Sequence, residues 1–184
     1  MQHREKKEDV LLNSSRTNGY IDCMDSAAND KLIMNWLNKE TSKKLQKKTG
    51  TAAFDAVIMA IEKCISLLIE SNDVTVSYNF DNNDLDIQYK KDDQEVILPL
   101  NRMSDGYKCT ISLITDIAYR MAQLNPQLRE KVLDAPGVVI IDEIDLHLHP
   151  EWQKRILGDL TSIFPHIQFI VIYSCIICYQ FSQK

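Results

Sequence analysis

GVVIIDEIDLHLHP, residues 137–150, decides how the rest of the chain is read. Four β-branched residues, Val138 to Ile141, run without a polar break into two adjacent carboxylates, Asp142 and Glu143. β-Branched side chains favour a pleated backbone, and an apolar run with no alternation predicts a parallel strand covered on both faces. Pro150 opens a stretch of helical spacing that lasts to about residue 163, and residues 167–172 form a second apolar run. Pro suits the first turn of a helix, where its missing N–H would have no partner. Strand, helix and strand at this spacing predict a right-handed βαβ unit. A unit of that kind carries the two acids to the carboxyl edge of a sheet, where α/β folds bind ligands.

Upstream, Ser104 and Asp105 read as caps of a helix over 104–124, whose apolar face holds Ile111, Ile114, Ile117, Ala118 and Met121. Before it the period is two. Val74, Val76 and Tyr78 alternate with polar residues, as do Leu85, Ile87 and Tyr89, and Asp81-Asn82-Asn83-Asp84 between them is turn chemistry. A third short strand is expected over 95–100. Two helices precede this hairpin, over about 30–48 (Leu32, Ile33, Trp36, Leu37 and Leu45) and about 51–71. The fold is read as α/β, with a helical and β-hairpin region over residues 1–99 leading into a second portion over 100–184.

With 45% apolar and 26% charged residues in 184, the chain can bury a real core. The net charge of −5 argues against a broadly basic nucleic-acid surface. Lys39, Lys43, Lys44, Lys47 and Lys48 make a local basic face that suits either DNA phosphates or plain solvent. The first ten residues are charged and lack the apolar centre of a signal peptide. The longest apolar stretch, 167–181, is interrupted by Gln168, Ser174 and Gln180 and is too short to span a bilayer comfortably. A cytoplasmic protein without membrane contact is expected. Cys23, Cys64, Cys109, Cys175 and Cys178 are an odd, scattered set that suits a reducing compartment. The CxxC of Cys175 and Cys178 lies in an apolar run without a second pair and reads as buried thiols.

Phosphoryl transfer from ATP needs a metal held and a water oriented. Asp142 suits Mg²⁺ bound through water, because that ion keeps much of its hydration shell, and Glu143 suits the base that polarises the attacking water. An acidic turn at a strand end is the plainer alternative. A second segment bears on this choice. In LNRMSDGYKCTISLITDIAYR, residues 100–120, a Ser at a helix start followed by a Gly offers a hydroxyl and unpaired backbone N–H groups to an anion.

MSDGYK ahead of a long helix resembles the LSGGQ-type signature of ABC-type ATPases. DEIDLHLHP resembles the Walker B motif running into the D-loop of the RecF/SMC-like branch, including bacterial ATP-binding proteins of overcoming-lysogenization type. The resemblance covers about residues 98–171, with a weaker likeness at RTNGYIDCMD, residues 16–25. It implies a partial P-loop NTPase sheet of ABC type, with ATP and Mg²⁺ as cofactors. Ser104 and Gly106 would contact a γ-phosphate, Asp142 would hold the metal, Glu143 would be catalytic, and Asp145 would lie in the D-loop against the nucleotide. Two subunits sandwich ATP in such families. The resemblance thus implies a homodimer or an intact ATPase partner, with DNA as a possible further partner, in DNA maintenance and repair or antiviral defence.

The chain also departs from that pattern. Asp105 stands where the signature has Gly, and Tyr107 where it has Gln. None of Gly19, Gly50, Gly106, Gly137 and Gly158 fits a phosphate-cradling GxxxxGK[ST]. After residues 169–171, Ser174 occupies the position of the family's γ-phosphate histidine. A serine hydroxyl donates a hydrogen bond but carries no charge. The expectation is therefore a carboxyl-side fragment of a larger ATPase that binds ATP feebly alone and leaves its apolar strands only partly covered. A non-enzymatic remnant that pairs with an intact ATPase is the alternative. A carboxylate-metal nuclease using Asp142 and Glu143 is another, although it leaves the signature segment unexplained. Asp145, His147 and His149 also alternate like transition-metal ligands, but the D-loop reading explains them and no further ligand is evident in the sequence.

Overall fold

The protein is seen in a computed structural model that describes residues 26–47, 52–91, 94–145, 148 and 150–174. Helix α1 (Ser26–Lys47) starts earlier than its apolar spacing predicts. Its Ile33 and Leu37 are buried, whereas Leu45, expected on the same face, is 68% exposed. Helix α2 (Ala52–Ile69) buries Phe54, Ala56, Val57, Ala60, Ile61, Cys64, Ile65 and Leu68. Its apolar face lies in the middle of the core, while Asp55, Met59 and Lys63 stay exposed. Trp36 of α1 packs against Phe54 of α2, with ring centroids 6.0 Å apart.

Strands β1 (Val74–Asn79), β2 (Asp84–Lys91) and β3 (Gln94–Pro99) form an antiparallel sheet in chain order. The first hairpin closes at Asn79 opposite Asp84. Asn83 adopts φ 52° in its turn, a left-handed conformation that Asn tolerates better than most residues. The Asp84 carboxylate, buried, accepts the N–H groups of Leu85 and Asn101, so the hairpin is tied to the approach of the next helix.

Helix α3 (Asp105–Leu124) follows, and its Tyr119 meets the Trp36 ring edge-on at 5.2 Å. Residues 126–134 contain two 3₁₀ turns that meet at Arg129, where φ is 49°. Strand β4 (Gly137–Ile141) pairs in parallel with β5 (Ile167–Val171), from Gly137 opposite Ile167 to Ile141 opposite Val171. Helix α4 (Pro150–Ile163) connects them, with the bounds that the sequence predicts. Arg155 of α4 donates to the Leu67 carbonyl of α2 at 2.8 Å, and Lys63 of α2 to the Ser162 carbonyl, which ties the βαβ unit to the helical core.

One expectation needs correction. β4 is not covered on both faces: Val139, Ile141, Phe169 and Val171 pack on the core, but Val138 is 59% and Ile140 70% exposed, beside exposed Ile170 and Ile172. An unbroken apolar pattern reports what both faces are built to bury. Among the described residues, cover is supplied to one of them. The expectation of partly covered strands is met. No described helix is long and apolar enough to cross a membrane.

Candidate functional site

The chain leaves β4 at Ile141 and turns through Asp142, Glu143 and Ile144 to Asp145. Both Asp142 and Glu143 are exposed, whereas Ile144 and Asp145 are buried. Glu143 sits at φ 51°, a left-handed conformation that costs an L-residue roughly 1–2 kcal/mol. Residues just past β5 hold both ends of this turn. Ile172 donates its N–H to the Ile141 carbonyl at 2.9 Å and accepts the Ile144 N–H on its own carbonyl at 3.1 Å. The Asp145 carboxylate takes the Ser174 N–H on Oδ1 at 2.8 Å and the Ser174 hydroxyl on Oδ2 at 2.9 Å. From the other side, Gln153 Nε2 of α4 donates to the carbonyls of Asp145 and Leu148 at 3.0 and 3.1 Å.

Ser104 is the N-cap of α3, in extended conformation, and its side chain makes no capping bond. Its carbonyl accepts the Lys108 N–H at 3.1 Å. Gly106 lies in the first turn, with its carbonyl bonded to the Thr110 hydroxyl at 3.0 Å. Asp105, at the position where the signature has Gly, pairs with Lys108 at 2.7 Å. Tyr107, at the position of the signature's Gln, packs edge-to-face on Trp152 with centroids 4.4 Å apart and an interplanar angle of 70°. That contact seats the first turn of α3 against the first turn of α4. Sequence reading missed Trp152 and Gln153; an aromatic two residues after a helix-opening Pro was the available signal, but its partner lies on another element.

The donors suit a hydrated hard cation. Asp142 and Glu143 present exposed carboxylate oxygens past the carboxyl end of a parallel strand, the few-ligand arrangement that Mg²⁺ favours. Among the described residues no group of three or more His, Cys, Asp or Glu is placed to hold a metal outright. His147 and His149 lie outside the described residues, as do Cys175, Cys178 and the 16–25 segment. Of the basic face on α1, Lys43 pairs with Glu40, and Lys44 pairs with Asp55 at 2.6 Å while lying over the Phe54 ring. Those two charges are already engaged within the chain.

Comparison with known proteins gives the family. The chain is 54% identical over 69 residues to the Retron Vc95 probable ATPase of Vibrio cholerae serotype O1 biovar El Tor, covering 38% of this chain and 13% of that protein. It is 49% identical over 80 residues to the Retron Ec83 probable ATPase of Escherichia coli, covering 44% and 15%. It is 48% identical over 71 residues to the Septu protein PtuA of Bacillus mycoides (strain KBAB4), covering 39% and 9%. The matched stretch thus spans less than a fifth of each of these relatives. An SMC ATPase chain superposes with a TM-score of 0.46 and 22% identity, over 71% of this chain and 74% of that one. The model of the AAA ATPase domain matches residues 2–169, nine-tenths of the sequence, and the chain belongs to that family.

Proposed function

We propose that this chain carries the acidic turn and the signature helix of an ATP-hydrolysing protein of antiviral defence, acting with a second subunit. The observation that carries the reading is the pair of exposed acids held at the carboxyl end of β4, parallel to β5. Two relatives named as retron ATPases and one named as a Septu protein support the defence setting.

In this reading Asp142 holds Mg²⁺ through water. Bound there, the ion supplies charge neutralisation to the phosphates. Glu143 accepts the proton of the attacking water. The Ser104 hydroxyl, not engaged in capping, and the N–H groups of the first turn of α3 receive phosphate oxygens. A phosphate-cradling GxxxxGK[ST] is not spelled in these 184 residues, and in this reading the signature helix meets the loop of the second subunit.

A protein that joins the upstream half of a retron relative to this chain tests the roles. Phosphate release should depend on Mg²⁺. Glu143→Gln should lower turnover by roughly 10²–10⁴-fold while ATP still binds, the range for loss of a general base. Asp142→Asn should weaken the metal-dependent binding itself. Turnover in the Gln variant equal to that of the parent would remove Glu143 from catalysis.

A further inference from the structure

We infer that the segment Ile172–Ser174 is a brace for the acidic turn, and that Asp145 and Ser174 are positioning residues for Glu143. Among the described residues, hydrogen bonds cross between this segment and residues 141–145. Two use the backbone of Ile172 and reach Ile141 and Ile144, one on each side of the two acids. Two use Ser174, and both end on the Asp145 carboxylate. Between these anchor points sits Glu143 at φ 51°. A glutamate gains nothing from that conformation, so the surroundings must hold it there. Asp145 is 5% exposed and its two oxygens take two donors from one residue. Charge-assisted bonds of this kind are stronger than neutral ones, and a buried carboxylate left without them is costly. Asp145 is therefore held within its own chain, and Ser174, the departure from the expected histidine, supplies a donor to each of its oxygens.

Only the catalytic meaning of the brace rests on the role proposed for Glu143; the brace itself is tested without nucleotide. The experiment is amide hydrogen exchange, read by NMR on the ¹⁵N-labelled full chain, at Ile144 and Ser174, with Ile61 of α2 as the global reference. Asp145→Ala should speed exchange at both sites by about tenfold, the size expected for losing such bonds, and leave Ile61 unchanged. Asp145→Asn should stay within about threefold of the parent, because its carbonyl accepts the Ser174 N–H and its amide donates to the Ser174 hydroxyl oxygen. Ser174→Ala, which keeps the N–H, should fall between them. Adding Glu143→Gly to Asp145→Ala should restore part of the protection, since glycine takes positive φ without strain.

The brace is overturned if Asp145→Ala leaves Ile144 exchange unchanged, or if Asp145→Asn is as damaging as Asp145→Ala. It is also overturned if Gly at position 143 restores nothing. Should Asp145→Ala fail to fold, the Asn and Ser174→Ala variants still decide. If the joined protein of the previous subsection proves inactive, the ATPase reading falls and the exchange result stands.

Discussion

Cys64 and Cys109 carry the same thiol in opposite surroundings. Burial pushes the Cys64 thiol up to about 12, with the nearby Asp159 carboxylate adding to the effect, whereas Cys109 lies exposed on α3. Because the thiolate is the reactive form, iodoacetamide at pH 8 should alkylate Cys109 and leave Cys64 intact until the chain is unfolded. Peptide mass mapping checks this, and early labelling of Cys64 would show that α2 is not the packed centre described. Asp30 gives a second residue-scale outcome. Desolvation and the Asp116 carboxylate raise its pKa above the ordinary 3.8, against the opposing hydrogen bond from Ser112. Between those two values the folded state holds a proton that the unfolded state has lost, so stability falls as pH rises through that window. Asp30→Asn should therefore raise Tm at pH 7 and change little at pH 3. A variant that melts lower at pH 7 would show that the charge helps rather than hinders.

At the scale of elements, α4 helps tie the βαβ unit to the rest. Phe164, just past its end, is fully buried and packs toward Phe169 with centroids 6.5 Å apart. Phe164→Ala should cost about 3–5 kcal/mol, the range for emptying a large aromatic site. Leu45→Ala, at an exposed position, should stay within about 0.5 kcal/mol. Urea denaturation of both variants makes the comparison, and equal losses would contradict the burial pattern. The Tyr107–Trp152 contact joins the first turns of α3 and α4. Edge-to-face pairs contribute roughly 0.5–1.5 kcal/mol beyond their area, so a double-mutant cycle should return a coupling of that size. It links the two motif-bearing elements through packing alone.

Across the whole molecule, the open face of the β4–β5 sheet stands out. Val138, Ile140, Ile170 and Ile172 lie together and exposed, and contiguous apolar surface of this kind marks an association site. Concentration-dependent self-association is expected in sedimentation velocity. Replacing Ile140 and Ile170 by Thr should suppress it with little change in melting, because neither side chain packs on the core. A wild-type chain that stays monomeric at high concentration would count against the open face. The chain alone should also bind ATP feebly, since backbone nests and a Lys supply much of the affinity for phosphate, and calorimetric titration at micromolar affinity would contradict that.

Local pattern was enough for most elements. Period two marked β1 and β2, and the Pro150 start and apolar spacing gave α4 its bounds, because these signals come from neighbouring residues. The acids at the end of β4 were legible for the same reason: a run of β-branched residues says where the strand stops. The early start of α1, the 3₁₀ turns before β4 and the exposure of Leu45 were not, since each depends on what the rest of the chain packs beside them. The site divides likewise. That Asp142 and Glu143 end a strand is written in fourteen consecutive residues. That Glu143 is left-handed, that Asp145 turns inward to Ser174 twenty-nine residues away, and that Tyr107 meets Trp152 came only from folding, because these contacts join separate elements and no local periodicity encodes them.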